Sequence, residues 1–352
     1  MLIRKIMGIV IVLALSIGTL GACSQTTATT TGTTSADDTV ADVTSAIETT
    51  TANNEKKITV GFANMADSIE FCMNVKVGLE KECKAKGWDI ISLDNNLDGQ
   101  KAVQNTDMLI QQKVDFVVMF NIDASTQPAV ADKLTAAGIP AIAIDIYMPD
   151  FPFFGVDNAK AGSLGGEWLG NYAKSTWNQE PDLFVIMDNP TGGKYAKDRC
   201  DALEAGLLKV YPDYPKEKIV RVDAKSDVST AQEAMTNVLT ANPTAKNIVV
   251  SGINDQVCAG ALAALETTKR DADAVVCSLG CDSSFLKQLQ ATKGEGAWKA
   301  SIAFAPEKYG EQIVPLIEKV LVGGEKLSDV STVENFTVTK DTIAQYYPDY
   351  QF

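Results

Sequence analysis

The chain has 352 residues, of which 45% are hydrophobic and 22% are charged, so it is ordinary globular material and long enough for two domains. Its net charge of −14 argues against nucleic acid as a partner, because a polyanion would be repelled. The chain contains no histidine, which excludes Ser-His and Cys-His nucleophile activation and the commonest zinc sites. Metal-ligand spacing such as CxxC is also absent, so we expect neither a metal nor a cofactor.

The first 23 residues have the pattern of a bacterial lipoprotein leader. Arg4 and Lys5 precede an apolar run from Ile6 to Leu20, which is short for a membrane span and typical of a signal peptide. The four residues that end at Cys23, Leu-Gly-Ala-Cys, resemble the lipobox, in which the cysteine thiol receives a diacylglycerol. We therefore expect lipidation at Cys23. The alternative is a signal peptide that happens to carry a cysteine.

Residues 24–55 are dominated by threonine, with serine, alanine and aspartate and almost no large apolar side chain. Such a segment cannot bury enough surface to fold. It predicts a disordered tether between a lipid anchor and a globular part that starts near residue 56. The protein is accordingly expected at the extracytoplasmic face of the cell membrane.

The first globular half predicts alternating strands and helices. Its apolar runs are short and β-branched where strands are expected, as at Phe116–Phe120, and Gly138 stands where a helix should end. In chain order the predicted elements are strand 58–62, helix 71–86, strand 88–93, helix 100–113, strand 116–120, helix 125–137 and strand 139–144. This order predicts a parallel sheet with helices on both faces.

The second half repeats the alternation. Its helix 229–241 has Ser229 or Thr230 as the expected N-cap. The predicted elements are helix 159–175, strand 183–187, helix 194–209, strand 219–222, helix 229–241, strand 247–255, helix 257–269, strand 274–279, helix 284–290, strand 298–304 and helix 306–322. The fold class is therefore α/β, with two doubly wound parallel-sheet domains in series.

Polar side chains follow several predicted strands at the point where each strand ends. Asn121 and Asp145 do so in the first half, and Asn254 and Asp282 in the second. Ligands bind at the carboxyl edge of open parallel sheets, so these side chains are candidates for binding. The alternative is that they are only turn and helix-cap residues, a common use of Asn and Asp.

Six cysteines remain outside the leader, an even number that would permit disulfides outside the cell. We expect none. Cys72 and Cys83 would lie about 16 Å apart on one helix, beyond bridging distance. The others, Cys200, Cys258, Cys277 and Cys281, fall in predicted helices or strand ends as small buried residues do.

The order and spacing of these pieces resemble the ribose-type periplasmic sugar-binding proteins of ABC importers. The residues that carry the resemblance are Gly78, Asn121 with Asp123, Gly138-Ile-Pro, Asp145, Val156-Asp-Asn158, Leu239 to Pro243, Asn254-Asp255, Gly260 to Leu265 and Asp282. The resemblance implies a three-crossover hinge, with crossings near residues 158, 304 and 331. It implies an N-terminal domain of residues 56–158 and 305–331, and a C-terminal domain of residues 159–304 and 332–352.

The resemblance also implies where a ligand would bind. The implied positions are Ser68, Phe71, Cys72, Asn121 and Asp145 in the first domain, and Lys197, Arg199, Asn254, Asp282 and Phe304 in the second. Three positions depart from the pentose-binding pattern. Ile146 and Lys197 stand where arginine is common, and Phe304 replaces a frequent glutamine.

By this resemblance we expect a monomeric solute-binding lipoprotein, not an enzyme, that traps a small carbohydrate between hinged domains and delivers it to an ABC permease. Asn and Asp groups suit vicinal hydroxyls, and aromatic faces suit the C–H faces of a sugar ring. Two alternatives remain open at this point. One is a sensor subunit that presents a sugar or an autoinducer-like furanose to a membrane receptor, and the other is an extracellular enzyme.

Overall fold

The computed structural model describes residues 57–350. The predicted signal peptide, the lipidation site at Cys23 and the whole predicted tether lie outside these residues. No helix of the described part is both long and apolar enough to cross a bilayer.

Strands and helices alternate along most of the described chain. The strands are β1 (Thr59–Asn64), β2 (Asp89–Asp94), β3 (Phe116–Met119), β4 (Ala141–Ile144), β5 (Phe153–Val156), β6 (Leu183–Asp188), β7 (Ile219–Asp223), β8 (Ile248–Gly252), β9 (Ala274–Gly280), β10 (Trp298–Ala303), β11 (Val330–Val333) and β12 (Phe336–Thr339). The helices are α1 (Glu70–Ala85), α2 (Gly99–Gln111), α3 (Gln127–Ala137), α4 (Asn158–Tyr172), α5 (Lys194–Val210), α6 (Val228–Ala241), α7 (Asp255–Thr267), α8 (Ser283–Ala291), α9 (Tyr309–Leu321) and α10 (Ile343–Tyr346).

The strands form two six-stranded sheets. The first has the order β11-β5-β4-β3-β1-β2 and is parallel throughout. The second has the order β12-β10-β9-β8-β6-β7 and is parallel except for the antiparallel pair of β10 and β12. Strands β3 and β4 are buried along their whole length, as expected of a sheet covered on both faces. The predicted fold class is confirmed.

The chain passes between the two sheets at three places. It leaves the first sheet after Val156, returns after Ala303, and passes again between Val333 and Phe336. We call the first sheet with the helices that pack on it the first half of the protein, and the second sheet with its helices the second half. The domain limits stated from the sequence stay a prediction.

Local sequence explains where several helices begin and end. Gly138 closes α3 in the left-handed region, with φ of 67°, as predicted. The N-cap of α6, however, is Asp227, whose carboxylate accepts a hydrogen bond from the Thr230 N–H at 2.9 Å. The expectation of Ser229 or Thr230 was wrong because aspartate two or three residues earlier competes for the same N–H groups.

Three strands were not predicted. Strands β5, β11 and β12 have only four residues each, and β11 and β12 lie at the edges of their sheets. Their extended conformation depends on pairing with neighbours that are distant in sequence, as β11 pairs with β5 and β12 with β10. Glycine interrupts the apolar run of β5 and polar residues interrupt those of β11 and β12, so these strands lack the continuous apolar run that predicted the equally short β3 and β4.

The six cysteines of the described chain are all free and buried. Burial raises the pKa of the Cys72 thiol to about 12 and raises those of Cys258 and Cys281 well above their ordinary value. They serve as small core residues.

Candidate functional site

A cavity of about 730 Å³ lies between the two halves, at the carboxyl ends of strands from both sheets. We call it the cleft. Six of the residues predicted from the sequence line it: Phe71, Asp145, Arg199, Asn254, Asp282 and Phe304.

Asp145 is fixed in the wall of the first half by two donors. It directly follows β4 with φ of 58°, and its Oδ1 accepts hydrogen bonds from the Val156 N–H at 3.1 Å and from the Tyr309 hydroxyl at 3.0 Å. Burial raises the pKa of Asp145 to about 6 against the opposing effect of these donors. The carboxylate is thus held in one orientation beside the cleft.

Aromatic rings surround this carboxylate. Phe71, in the first turn of α1, meets the Tyr309 ring edge to face, with ring centres 5.8 Å apart. Tyr309 meets Phe154 of β5 in the same geometry at 5.0 Å. Because Tyr309 is fully buried by these contacts, its hydroxyl is held against Asp145.

Arg199 projects into the cleft from α5 of the second half. Its Nε donates to Asn158 Oδ1 at 2.7 Å, and its Nη1 donates to the Ile253 carbonyl at 2.8 Å. The guanidinium carbon lies 4.5 Å from the centre of the Phe304 ring and 5.1 Å from that of Tyr195. Burial lowers its pKa, but a guanidinium stays charged in proteins.

Close helix packing positions Arg199. A Cβ added to Gly166 of α4 would lie 2.0 Å from the Leu203 carbonyl oxygen of α5, and one added to Gly162 would lie 2.3 Å from the Arg199 carbonyl oxygen. Only glycine permits this approach. The result is a fixed backbone beneath the arginine.

Asn254 and Asp282 are N-caps that also face the cleft. Asn254 Oδ1 accepts from the Val257 N–H at 3.0 Å at the start of α7. Asp282 Oδ1 accepts from the Ser284 N–H at 2.9 Å at the start of α8, and Asp282 Oδ2 accepts from the Gln256 amide. Each side chain therefore caps a helix and also lines the cleft, and a role in ligand binding stays a prediction.

Asp255 is a buried carboxyl directly behind Asp282. It accepts hydrogen bonds from the hydroxyls of Ser278 at 2.5 Å and Ser301 at 3.0 Å, and from the Asp282 N–H at 2.9 Å. Burial, and then the charge of Asp282, raise the pKa of Asp255 to about 8. The loop that presents Asp282 is thus tied to the second sheet through Asp255.

Four predicted residues do not line the cleft. Cys72 and Asn121 are fully buried, and the Asn121 amide donates to Thr126 Oγ1 at 2.9 Å within its own turn. Lys197 is exposed on α5 and pairs with Asp201, and Ser68 is exposed ahead of α1. The structure therefore gives these four positions local roles.

Several cleft residues were missed from the sequence. Glu70 and Glu307 come from the first half, and Tyr347, Asp349 and Tyr350 come from the C-terminal segment. The signal that could have found the last three is the aromatic-rich run from Tyr346 to Tyr350. Within residues 57–350 no group of three or more Cys, Asp or Glu side chains is placed to hold a metal ion.

Comparison with known proteins places this architecture in a family. The model of the periplasmic binding protein domain matches residues 60–326. The chain belongs to this family. The ribose import binding protein of Bacillus subtilis (strain 168) is 23% identical over 287 residues, which cover 80% of this chain and 87% of that protein.

Solved structures of solute-binding proteins have the same fold. A periplasmic solute-binding protein of an ABC transporter from Actinobacillus succinogenes 130z, with bound D-allose, matches with a TM-score of 0.68 and 22% identity over 82% of this chain and 100% of that one. A periplasmic ribose ABC transporter protein from Conexibacter woesei matches with a TM-score of 0.71 and 15% identity over 82% of this chain and 94% of that one. These similar proteins are solute-binding proteins, not enzymes.

Proposed function

We propose that this protein is an extracytoplasmic solute-binding lipoprotein that captures a small, uncharged carbohydrate in the cleft and delivers it to an ABC transporter permease. The observation that carries the proposal is the cleft wall itself. Oriented carboxylates at Asp145 and Asp282 and an amide at Asn254 stand beside the rings of Phe71 and Phe304. The carboxylates and the amide can hydrogen-bond to the hydroxyl groups of a sugar, and the aromatic rings can pack against the C–H faces of its ring.

The charge balance of the cleft favours an uncharged ligand over a sugar acid or a sugar phosphate. Among the described residues that line the cleft, Arg199 is the only cation. Carboxyl groups from both halves line the same space, namely Glu70, Asp145, Asp282, Glu307 and Asp349. An anion would meet more repulsion than attraction there.

The ligands of two similar proteins support a carbohydrate as the ligand class. The relative from Bacillus subtilis is a ribose importer component, and the structure from Actinobacillus succinogenes holds D-allose. The departure at Ile146, where pentose-binding relatives commonly have arginine, argues against assuming ribose itself.

A ligand panel tests the proposal. Thermal unfolding of the purified protein would be measured with D-ribose, L-arabinose, D-allose, D-galactose, xylitol and myo-inositol, followed by calorimetry on each compound that raises the melting temperature. A ligand that binds only the folded state, at 100 times its dissociation constant, stabilises it by about 2.7 kcal/mol. D-Glucuronate serves as the anionic comparison. Failure of the whole panel, or binding of glucuronate alone, would overturn the assignment of an uncharged carbohydrate.

Delivery and anchoring need separate tests. Cells that lack this protein should lose uptake of the panel compound that binds, whereas retained uptake with lost signalling would favour the sensor alternative. Replacing Cys23 with serine should move the protein out of the membrane fraction. If the variant stays with the membrane, lipidation at Cys23 is wrong. Sedimentation of the purified protein, with and without ligand, tests the expected monomer.

A further inference from the structure

The C-terminal segment contributes a part of the cleft wall that lies beyond the family match. The match ends at residue 326, and the last strand, β12, ends at Thr339. After β12 the chain turns through α10 and brings Tyr347, Asp349 and Tyr350 to the cleft. We infer that residues 340–350, here called the C-terminal strap, form a specificity-determining wall of the ligand site, with Tyr350 in contact with the ligand and Tyr347 as its positioning residue. This inference rests on the proposed function.

The strap is docked on the second half by packed side chains. Ile343 is only 2% exposed, and Tyr346 stacks on Phe336 of β12 with ring centres 4.1 Å apart and planes at 24°. The Lys308 ammonium lies 5.1 Å from the centre of the Phe336 ring and 5.9 Å from that of Tyr346. A stacked aromatic pair covered by a cation gives the strap a fixed position.

Tyr347 ties the strap to both sides of the cleft. Its side chain lines the cleft together with Glu307 and Cys281 and interacts with both. Cys281 directly follows β9 of the second half. Glu307 belongs to residues 306–308, which pack on α1 of the first half so closely that a Cβ added to Gly78 would lie 2.5 Å from the Glu307 carbonyl oxygen. Tyr347 therefore sits where the two halves meet, and a change in their separation would move it.

Tyr350 is the strap residue best suited to contact a sugar. The backbone N–H of Tyr350 donates to the Tyr347 carbonyl at 3.0 Å, so its position follows that of Tyr347. Its ring is partly buried and lines the cleft, while the exposed Asp349 carboxylate lies at the rim. An aromatic face there would cover C–H groups of the ligand and limit its size.

Calorimetry with the six-compound panel on the Tyr350→Ala variant tests the inference. We expect a pentose bound by the wild-type protein to bind about tenfold more weakly, which is the loss of one ring contact worth about 1.4 kcal/mol, and a hexose to lose less. We also expect the ratio of hexose to pentose affinity to rise, because the site is larger. Tyr147→Ala is the matched control, since Tyr147 is 64% exposed and does not line the cleft.

Three outcomes would overturn the inference. The first is unchanged affinity in Tyr350→Ala. The second is an equal loss in Tyr147→Ala. The third is an equal loss for every compound together with a lower melting temperature of the free protein, which would indicate a merely structural role.

A second measurement does not depend on finding a sugar. In Tyr347→Ala the Cys281 thiol should become accessible to a maleimide, detected by peptide mapping, whereas Tyr147→Ala should leave it protected. If the wild-type protein binds no panel compound, the proposed function fails while labelling of Cys281 still shows that the strap covers this wall. If Cys281 stays protected in Tyr347→Ala, the strap assignment fails whatever the panel shows.

Discussion

Glu70 and Ser283 join the two halves of the protein across the mouth of the cleft. Glu70, in the first turn of α1, accepts a hydrogen bond from the Ser283 hydroxyl at 2.7 Å and another from the Ser283 N–H at 3.2 Å. Both residues line the cleft. The contact is made only when the halves are close, so it stabilises this conformation relative to an open one.

Replacing Glu70 with alanine should open the unliganded protein. The two lost hydrogen bonds are solvent-exposed and together worth about 1 kcal/mol, which predicts about fivefold weaker ligand binding. Small-angle scattering of the free protein should show a larger radius of gyration. Glu80→Ala is the matched control, because Glu80 accepts from the Ser92 hydroxyl at 3.0 Å within the first half. An equal effect of the two variants would contradict a role in closure.

Replacing Asp282 with asparagine should weaken ligand binding without unfolding the protein. Asparagine is as good an N-cap as aspartate, so α8 keeps its cap, while the charged acceptor facing the cleft is lost. A charge-assisted hydrogen bond is worth about 1.5–3 kcal/mol, and the expected loss of affinity is about tenfold to hundredfold by calorimetry.

Asp227→Asn is the matched control for this variant. Asp227 caps α6 as Asp282 caps α8, and it does not line the cleft. It should leave affinity unchanged. If Asp282→Asn binds as well as the wild-type protein does, Asp282 is only a cap.

Replacing Asp255 with asparagine should flatten the dependence of stability on pH. The pKa of Asp255 rises from an ordinary value of 3.8 to about 8 in the folded protein. Between these values the folded state binds more protons than the unfolded chain, so this group's stabilising contribution is fully present below pH 3.8 and is lost as the pH rises toward 8.

Urea unfolding at several pH values measures this effect. The free energy of unfolding of the wild-type protein should fall by up to about 1.4 kcal/mol per pH unit over that interval from this group. Asp255→Asn should remove that slope. An unchanged slope would show that Asp255 ionises in the folded protein as it does in the unfolded chain.

Most of the fold followed from the sequence because its signals are local. Apolar runs of strand length and helical periodicity predicted nine strands and the helices between them, and Gly138 marked the end of α3. The short strands β5, β11 and β12 could not be predicted in this way. Their conformation depends on partners that are far along the chain.

The contrast between local and long-range signals also explains which cleft residues were predicted from the sequence. Asp145, Asn254 and Asp282 lie at or just past the ends of predicted strands, and parallel strands bring their ends to one edge. Asn121 also follows a predicted strand, but it is buried and its amide donates to Thr126 Oγ1 within the same turn. Only the structure shows this contact. The strap was missed because its aromatic-rich run from Tyr346 to Tyr350 does not reveal where in the fold these side chains pack.

Ligand affinity should fall as the pH drops below about 6, because Asp145 then becomes protonated. Burial raises the pKa of this carboxyl to about 6, and only its ionised form offers both oxygens as acceptors to a ligand hydroxyl. Calorimetry from pH 5 to pH 8 with the panel compound that binds measures the midpoint. Affinity that is constant over this range would contradict a direct role for Asp145.

Tyr309→Phe should move that midpoint to higher pH. The Tyr309 hydroxyl donates to both oxygens of Asp145, at 3.0 and 3.2 Å, and this hydrogen bond lowers the pKa of Asp145 against the effect of burial. Phenylalanine keeps the ring contacts with Phe71 and Phe154 but loses the donor. The protonated, weak-binding form therefore persists to higher pH. Tyr214→Phe, which removes a buried hydroxyl bonded to the Pro181 carbonyl away from the cleft, should leave the midpoint where it is in the wild-type protein.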